Sequence, residues 1–147
     1  MIASACGRAG NRCMKLAALA TLALLVLAAS PGAHAETWAE VSGGSYRLQS
    51  SVLDRLRATL KSKVVASAQA GNQTLPPWKD FLVQYRSKLL DGHRTVEIHG
   101  SCRVDPGQDV HAAFIDETVA DGGTCYFTVL YIPDLRKYSN VVFHGYA

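Results

Sequence analysis

Four histidines and a glutamate in the second half of the chain are the first candidates for chemistry: His93, His99, His111, His144 and Glu97. Glu97 and His99 are two positions apart, so in a strand they share a face at about 7 Å, close enough to ligate one metal ion. The chain has no HExxH motif and no third ligand at a diagnostic spacing. We therefore predict no metal ion and no cofactor, and interpret the pair as part of a polar row on a sheet.

A nucleophile for covalent catalysis is not indicated either. Ser101 lies beside Cys102 and near His99, but no GxSxG elbow surrounds it. The acidic residues between positions 105 and 121 lack the regular oxygen spacing of a calcium loop. We predict no catalytic residue. A small envelope hydrolase, or a metal- or ligand-binding protein using His99 and His144, is kept as the alternative function.

A binding surface is the stronger hypothesis. Alternation along the predicted strands places one mixed aromatic and polar set on a common sheet face, turned away from the core. From the last two strands this set takes Tyr126, Leu130, Val142, His144 and Tyr146. The predicted binding residues are Glu97, His99, Tyr126, His144 and Tyr146. Such a mixture is typical of protein interfaces. The competing interpretation is that the first predicted helix covers this face.

An export signal is predicted at residues 1–35. Arg8, Arg12 and Lys15 precede an apolar run at 16–29, and Ala33 and Ala35 fit the cleavage rule before Glu36. The run covers 14 residues, whereas a spanning helix needs about 20. We therefore expect no stable membrane insertion after cleavage. Either Met1 or Met14 can start the signal.

Cleavage changes the charge and the cysteine count. Residues 36–147 hold 12 basic and 12 acidic residues, a formal net charge of zero, so nucleic acid is not predicted as a partner. They are long enough for a single domain. Only Cys102 and Cys125 remain, and in an oxidising compartment we expect them to form one disulfide.

Two helices are predicted before the strands. Over residues 48–70, apolar residues recur at helical spacing and basic residues lie off that stripe. A second helix is predicted to begin at Pro76-Pro77 and end before Gly92. Its stripe consists of Trp78, Phe81, Leu82, Tyr85 and Leu89.

Three strands are predicted after Gly92, around residues 96–104, 125–131 and 141–146, with a hairpin loop at Pro133-Asp134. Pairing Phe127 with Phe143 also sets Val129 against Val141, Cys125 against Gly145 and Tyr126 against His144.

The disulfide indicates which strands are neighbours. A strand inserted between the two cysteine strands would separate them by about 9–10 Å, beyond the reach of a disulfide. If the strands are adjacent, the cysteine pairing also aligns Gly100 with Phe127, Ile98 with Val129 and Val96 with Tyr131. Residues 103–124, which we call the excursion, then leave the sheet as a stapled loop.

The stretches GHRTVEIHGSC and DGGTCYFTVLYIPDLRKYSNVVFHGYA resemble a pattern of small Sec-exported proteobacterial proteins of unknown function, over about the last 55 residues. The resemblance implies no functional residue. The order of elements predicts an α+β fold with two helices on a small antiparallel sheet, as in cystatin-like or NTF2-like folds.

Taken together, the sequence predicts a periplasmic or secreted protein- or peptide-binding module of inhibitor or immunity type, with an envelope or secreted protein as its partner. A structural envelope component is the third hypothesis.

Overall fold

A computed structural model describes residues 36–115 and 123–144. The predicted export signal at 1–35, Gly145 and Tyr146 lie outside the described residues, as do residues 116–122 of the excursion. The described chain contains one α-helix and a six-stranded mixed sheet, with one disulfide. The predicted α+β class and disulfide are thus confirmed, and the prediction of two helices on an antiparallel sheet is wrong.

Helix α1 spans Ser50–Ala70. It forms as the apolar spacing predicts, and its buried residues lie one turn apart on a single face. They are Leu56, Leu60, Val64 and Ala68. The helix ends at Gly71, whose N–H bonds to the Ser67 and Ala68 carbonyls, and Asn72 follows at a φ of 53°. No helix in the described ranges is both long and apolar enough to cross a bilayer.

The sheet has the order β1-β2-β3-β4-β5, and β6 also pairs with β4. Strand β1 runs parallel to β2, and the other pairs are antiparallel. Short 3₁₀ turns precede β2, β4 and β5. The strands are β1 Thr37–Glu40, β2 Leu82–Leu90, β3 His93–Ser101, β4 Tyr126–Ile132, β5 Lys137–Tyr138 and β6 Val142–Phe143.

The predicted second helix is instead a 3₁₀ turn at Trp78–Asp80 followed by β2. This segment fits the helical period of 3.6 and also the strand period of 2. In the strand, Val83 and Tyr85 face one side of the sheet and Leu82 and Gln84 the other, and all four are buried. Asp91 and Gly92 have φ values of 50° and 79°, which is the backbone of a two-residue hairpin turn and not of a helix end. Strand pairing on both sides of β2 therefore overrides the helical spacing.

The register predicted from the cysteines is confirmed. Strands β3 and β4 pair Val96 with Tyr131, Ile98 with Val129 and Gly100 with Phe127. Cys102 and Cys125 are bonded with their Cα atoms 5.0 Å apart, and the Cys102 N–H donates to the Cys125 carbonyl.

The predicted pairing of Phe127 with Phe143 is also confirmed. The predicted pair of Val129 with Val141 does not form. At this end of β4 the Leu130 carbonyl instead accepts a hydrogen bond from the Ser139 N–H. The His144 N–H donates to the Tyr126 carbonyl at 3.0 Å, so these two residues are neighbours as predicted.

The two faces of the sheet are covered differently. Helix α1 lies on one face, which we call the core face. The main buried cluster there comprises Leu56, Leu60, Val64, Phe81, Val83, Tyr85, Val96, Ile98, Phe127, Val129 and Tyr131. The opposite, outer face carries a smaller cluster, to which the excursion contributes Ile115. Its buried residues are Ala39, Leu82, Ile115, Cys125 and Tyr126.

Both tryptophans of the chain meet at the start of β1. The indole Nε1–H groups of Trp38 and Trp78 donate to the two carboxylate oxygens of Glu36. Trp78 also stacks on Phe127, with ring centroids 6.0 Å apart. The first described residue is thereby fastened to the main core cluster.

Candidate binding pocket on the outer sheet face

Strand alternation aligns the polar residues of the outer face in rows. One row runs from Arg86 through Glu97 to Leu130, and the next from Gln84 through His99 and Thr128 to Val142. Successive residues in a strand point to opposite faces, so none of these side chains competes with the core for space. The rows place the predicted residues Glu97 and His99 together.

The excursion covers one half of this face, and Gln84 is the residue that holds it. The Gln84 side chain is only 1% exposed. Its Nε2 donates to the carbonyls of Val110 and Ala113 at 2.7 and 2.9 Å, and its Oε1 accepts from the Ile115 N–H at 2.8 Å. A buried amide needs such partners, and here they are all backbone groups of the excursion.

A second attachment fixes the excursion to the end of β1. The Ser42 N–H donates to the His111 carbonyl at 2.8 Å, and His111 Nδ1 lies 2.9 Å from the Glu40 carbonyl oxygen. His111 therefore has a backbone partner away from the polar rows. We therefore interpret His111 as a structural residue and not as part of a site.

Glu97 is the electrostatic centre of the open half. Its Oε2 lies 2.9 Å from Arg86 Nη2 and 3.6 Å from Lys88 Nζ, and its Oε1 lies 3.5 Å from His99 Nε2. Burial raises the pKa of Glu97, but the hydrogen bond from Arg86 and the charges of Lys88 and His99 outweigh it, so the pKa is lowered overall. The carboxylate is accordingly ionised at neutral pH.

Phe114 brings the excursion to the edge of this cluster. Its ring stacks on the His99 imidazole with centroids 3.7 Å apart and planes 7° from parallel. The Arg86 guanidinium lies 4.6 Å from the centroid of the same ring. Phe114 is thus in contact with two members of the Glu97 cluster, through a ring stack on His99 and a cation–π contact with Arg86.

The uncovered half of the outer face forms an open pocket of about 370 Å³. Its lining combines charged, hydroxyl, amide and apolar side chains, including Val142, which is 52% exposed. Ser139 closes one rim because its Oγ accepts from the Leu130 N–H at 2.9 Å. The lining residues are Glu97, His99, Thr128, Val129, Leu130, Ser139, Asn140 and Val142. We call this site the sheet-face pocket.

The other predicted binding residues lie elsewhere. His144 is half-buried beside the pocket, where its Nε2 is 3.0 Å from Thr128 Oγ1. Tyr126 is 6% exposed and lies among the apolar residues beneath the excursion. Tyr146 is outside the described residues. Within the described ranges, no three His, Cys, Asp or Glu side chains are grouped to hold a metal ion.

Sequence reasoning missed Gln84, Phe114, Ser139 and Asn140. Gln84 lies in the segment that the sequence predicts as a second helix, and the other three lie in loops with no periodicity. A signal for Gln84 was nevertheless present, because a polar residue between Val83 and Tyr85 in a strand must find buried partners.

Comparison of the chain with protein-family models, curated proteins and solved structures finds no match. The resemblance to small exported proteobacterial proteins stays a prediction. What the protein does must therefore be inferred from its own geometry.

Proposed function

We propose that this chain is an exported binding module, one of the small proteobacterial proteins that its C-terminal stretch resembles. It holds a protein or peptide partner in the sheet-face pocket, in an inhibitor-like or immunity-like role. The observation that carries the proposal is the half-covered outer face: the excursion is fixed over one half, and a pocket of about 370 Å³ occupies the other.

The chemistry of the pocket suits one anchoring side chain of a partner. Leu130 and the exposed Val142 offer apolar area, and Ser139, Asn140 and Thr128 offer polar groups for orientation. Interfaces are typically built from an apolar anchor surrounded by such polar contacts. The size falls within the usual range of about 300–1,000 Å³ for binding pockets.

Rigidity also supports a binding role. The disulfide and the three Gln84 hydrogen bonds fix the excursion, and Phe114 of the excursion stacks on His99 in the pocket lining before any partner arrives. Preorganisation of this kind lowers the entropic cost of association. The disulfide further agrees with a periplasmic or secreted location, since such bonds persist in oxidising compartments.

The alternative, a small hydrolase, is favoured by one contact, that of Thr128 Oγ1 with His144 Nε2 at 3.0 Å. A hydroxyl close to a histidine is the start of a nucleophile–base pair. Against it, Thr128 lies within β4 with strands paired on both sides, where the backbone N–H groups serve the ladder. Glu97, the acidic group in the pocket, is tied to two cations and a histidine.

A peptide selection tests the proposal. The protein, purified from the periplasm of an expression host, is presented to a phage-displayed library of random peptides. Selected peptides are then titrated against wild type, Val142→Glu and Leu89→Glu. The last is a matched control, because Leu89 and Val142 are each 52% exposed and only Val142 lines the pocket.

We expect Val142→Glu to weaken peptide binding at least about tenfold, because it places a charge against the anchoring group, and Leu89→Glu to leave it unchanged. Enrichment of no peptide, or equal affinity for both variants, would contradict the proposal. Turnover of generic ester or peptide substrates that is lost in His144→Ala would favour the hydrolase instead.

A further inference from the structure

A second pocket lies at the beginning of α1 and shares no residue with the sheet-face pocket. Its volume is about 220 Å³. The walls come from the segment before α1, the first turns of that helix, the start of β3 and the turn between β4 and β5. Four arginines from these separate elements line it: Arg47, Arg55, Arg94 and Arg136. We call it the arginine pocket.

This is a large concentration of charge for a neutral domain. The four arginines are a third of the 12 basic residues between positions 36 and 147, and Asp134 is the single acidic residue in the lining. No carboxylate of residues 36–115 or 123–144 lies within 4.0 Å of any of the four guanidinium groups, since the ion pairs of these ranges all involve Glu97. The four cations thus share the cavity with one carboxylate, that of Asp134, and none of them forms an ion pair with it.

The floor of the pocket supplies a further donor. Tyr131 lines the pocket and is 2% exposed. Its hydroxyl makes no hydrogen bond with any of the described residues, although its ring contacts Tyr138 at 4.8 Å. The hydroxyl oxygen is not sealed inside the protein, so it is open to the pocket as a hydrogen-bond donor. An acceptor bound in the pocket would take this hydrogen bond.

Arg94 and Tyr46 are already oriented. The Tyr46 hydroxyl donates to the Thr95 carbonyl at 3.0 Å, and the Arg94 guanidinium lies 5.7 Å from the Tyr46 ring centroid. Burial raises the pKa of Tyr46, the Arg94 charge lowers it, and the Asp134 charge raises it again, so the phenol stays neutral. The guanidinium is therefore held over an uncharged ring and keeps its N–H groups for a ligand.

The start of α1 has the same electrostatic sign. Gln49 precedes the helix without a side-chain cap, and the first turn carries no acidic residue. The helix dipole adds partial positive charge at this end. This contribution is secondary to the four arginines, but it opposes none of them.

From these observations we infer that the arginine pocket binds a phosphoryl oxyanion, that is, inorganic phosphate or the phosphomonoester group of a larger molecule. Guanidinium groups match the oxygens of phosphate with paired N–H donors. A volume of about 220 Å³ admits such a head group and leaves what it is attached to outside. The inference is independent of the proposed partner site, because the two pockets are lined by different residues.

Calorimetric titration at low ionic strength tests this site. The soluble probes are inorganic phosphate and glycerol phosphate. Sedimentation with phosphatidylcholine vesicles, with and without phosphatidic acid, tests a lipid source of the same group. The variants are Arg94→Gln, Arg136→Gln and Tyr131→Phe. Arg103→Gln is the control, because Arg103 is exposed on the excursion and outside the pocket.

We expect saturable binding that weakens about tenfold or more in each arginine variant and about fivefold in Tyr131→Phe. Added salt should weaken it further. Tyr131→Phe removes no internal hydrogen bond, so its thermal midpoint should equal that of wild type, and this separates a binding effect from misfolding. Binding of the soluble probes identifies a free ligand, and binding of phosphatidic acid vesicles alone identifies a lipid head group.

Absence of saturable binding to every probe would overturn the inference. So would an equal loss of affinity in Arg103→Gln and Arg94→Gln, because binding would then follow overall charge and not the pocket. Neither result bears on peptide binding at the sheet-face pocket, whose matched variants alter different residues.

Discussion

The two faces of the sheet are closed by different forces. On the core face, one helix buries four residues at regular spacing against large apolar side chains. On the outer face, an irregular segment is held by the disulfide and by the polar side chain of Gln84, with only a small apolar cluster beneath. Apolar burial on the first face stabilises the fold. Directional bonds on the second hold the excursion in place, so the two faces should respond differently to substitution.

The largest effect is expected on the core face. Leu60→Ala should lower the free energy of unfolding by about 2–5 kcal/mol, because Leu60 is fully buried and its loss leaves a cavity. The same change at the exposed Leu89 should cost well under 1 kcal/mol. Chemical denaturation of both variants measures the difference. Similar losses would mean that α1 is not the principal source of stability.

Removing the disulfide should have a more local effect. Replacing Cys102 and Cys125 together with alanine should cost about 3 kcal/mol by the loop-entropy model. Amide hydrogen exchange should rise over residues 103–115 before it rises in α1, since the staple closes the base of the excursion. Uniform acceleration across the whole chain would show that the two faces unfold as one unit.

Gln84 provides a finer test of the outer face. Gln84→Ala leaves the Val110 and Ala113 carbonyls and the Ile115 N–H without their side-chain partners, which should cost about 2 kcal/mol. Exchange of the Ile115 amide reports the change directly. Gln108→Ala, on the exposed part of the excursion, is the control and should alter neither. Unchanged protection of Ile115 in Gln84→Ala would show that the apolar cluster alone holds the segment.

The smallest effect concerns pH. The pKa of folded Glu97 is below its ordinary value, so its ionisation stabilises the fold above that ordinary value, and this contribution is lost as the pH falls through the folded pKa. Glu97→Gln should therefore lose less stability than wild type on acidification from about pH 5 to pH 3. Thermal unfolding at several pH values measures this, with Glu40→Gln as control. Parallel curves for wild type and Glu97→Gln would refute the assignment.

The register of β3 and β4 could be predicted because a disulfide sets a distance. Once Cys102 and Cys125 are bonded, alternation allows a single alignment that keeps Ile98 and Val129 on the same face. Helix α1 was equally predictable, since its four buried positions follow one period.

Strand β2 was not predictable from its own spacing. Leu82, Tyr85 and Leu89 fit a helical stripe. The segment is a strand because it pairs with β1, which is far away in sequence, and with β3, which follows a turn. The Asp91-Gly92 turn was the local sign that outweighed the stripe. Tertiary pairing decided between two patterns that the same residues satisfy.

The candidate sites divide in the same way. Alternation placed Glu97 and His99 together on the outer face. It could not show that the excursion folds back over Tyr126, because loops have no period. The arginine pocket could not be predicted from any sequence pattern, because its four cations come from four separate parts of the chain.

The junction of Glu36 with both indoles has a spectroscopic consequence. Trp38 and Trp78 are the only tryptophans in the chain, and both bond to the residue that follows the predicted cleavage point. Intrinsic emission of this protein should therefore report the seating of the N-terminal strand. Neither indole lines either pocket, so a ligand titration that leaves the fluorescence unchanged would not mean that nothing has bound.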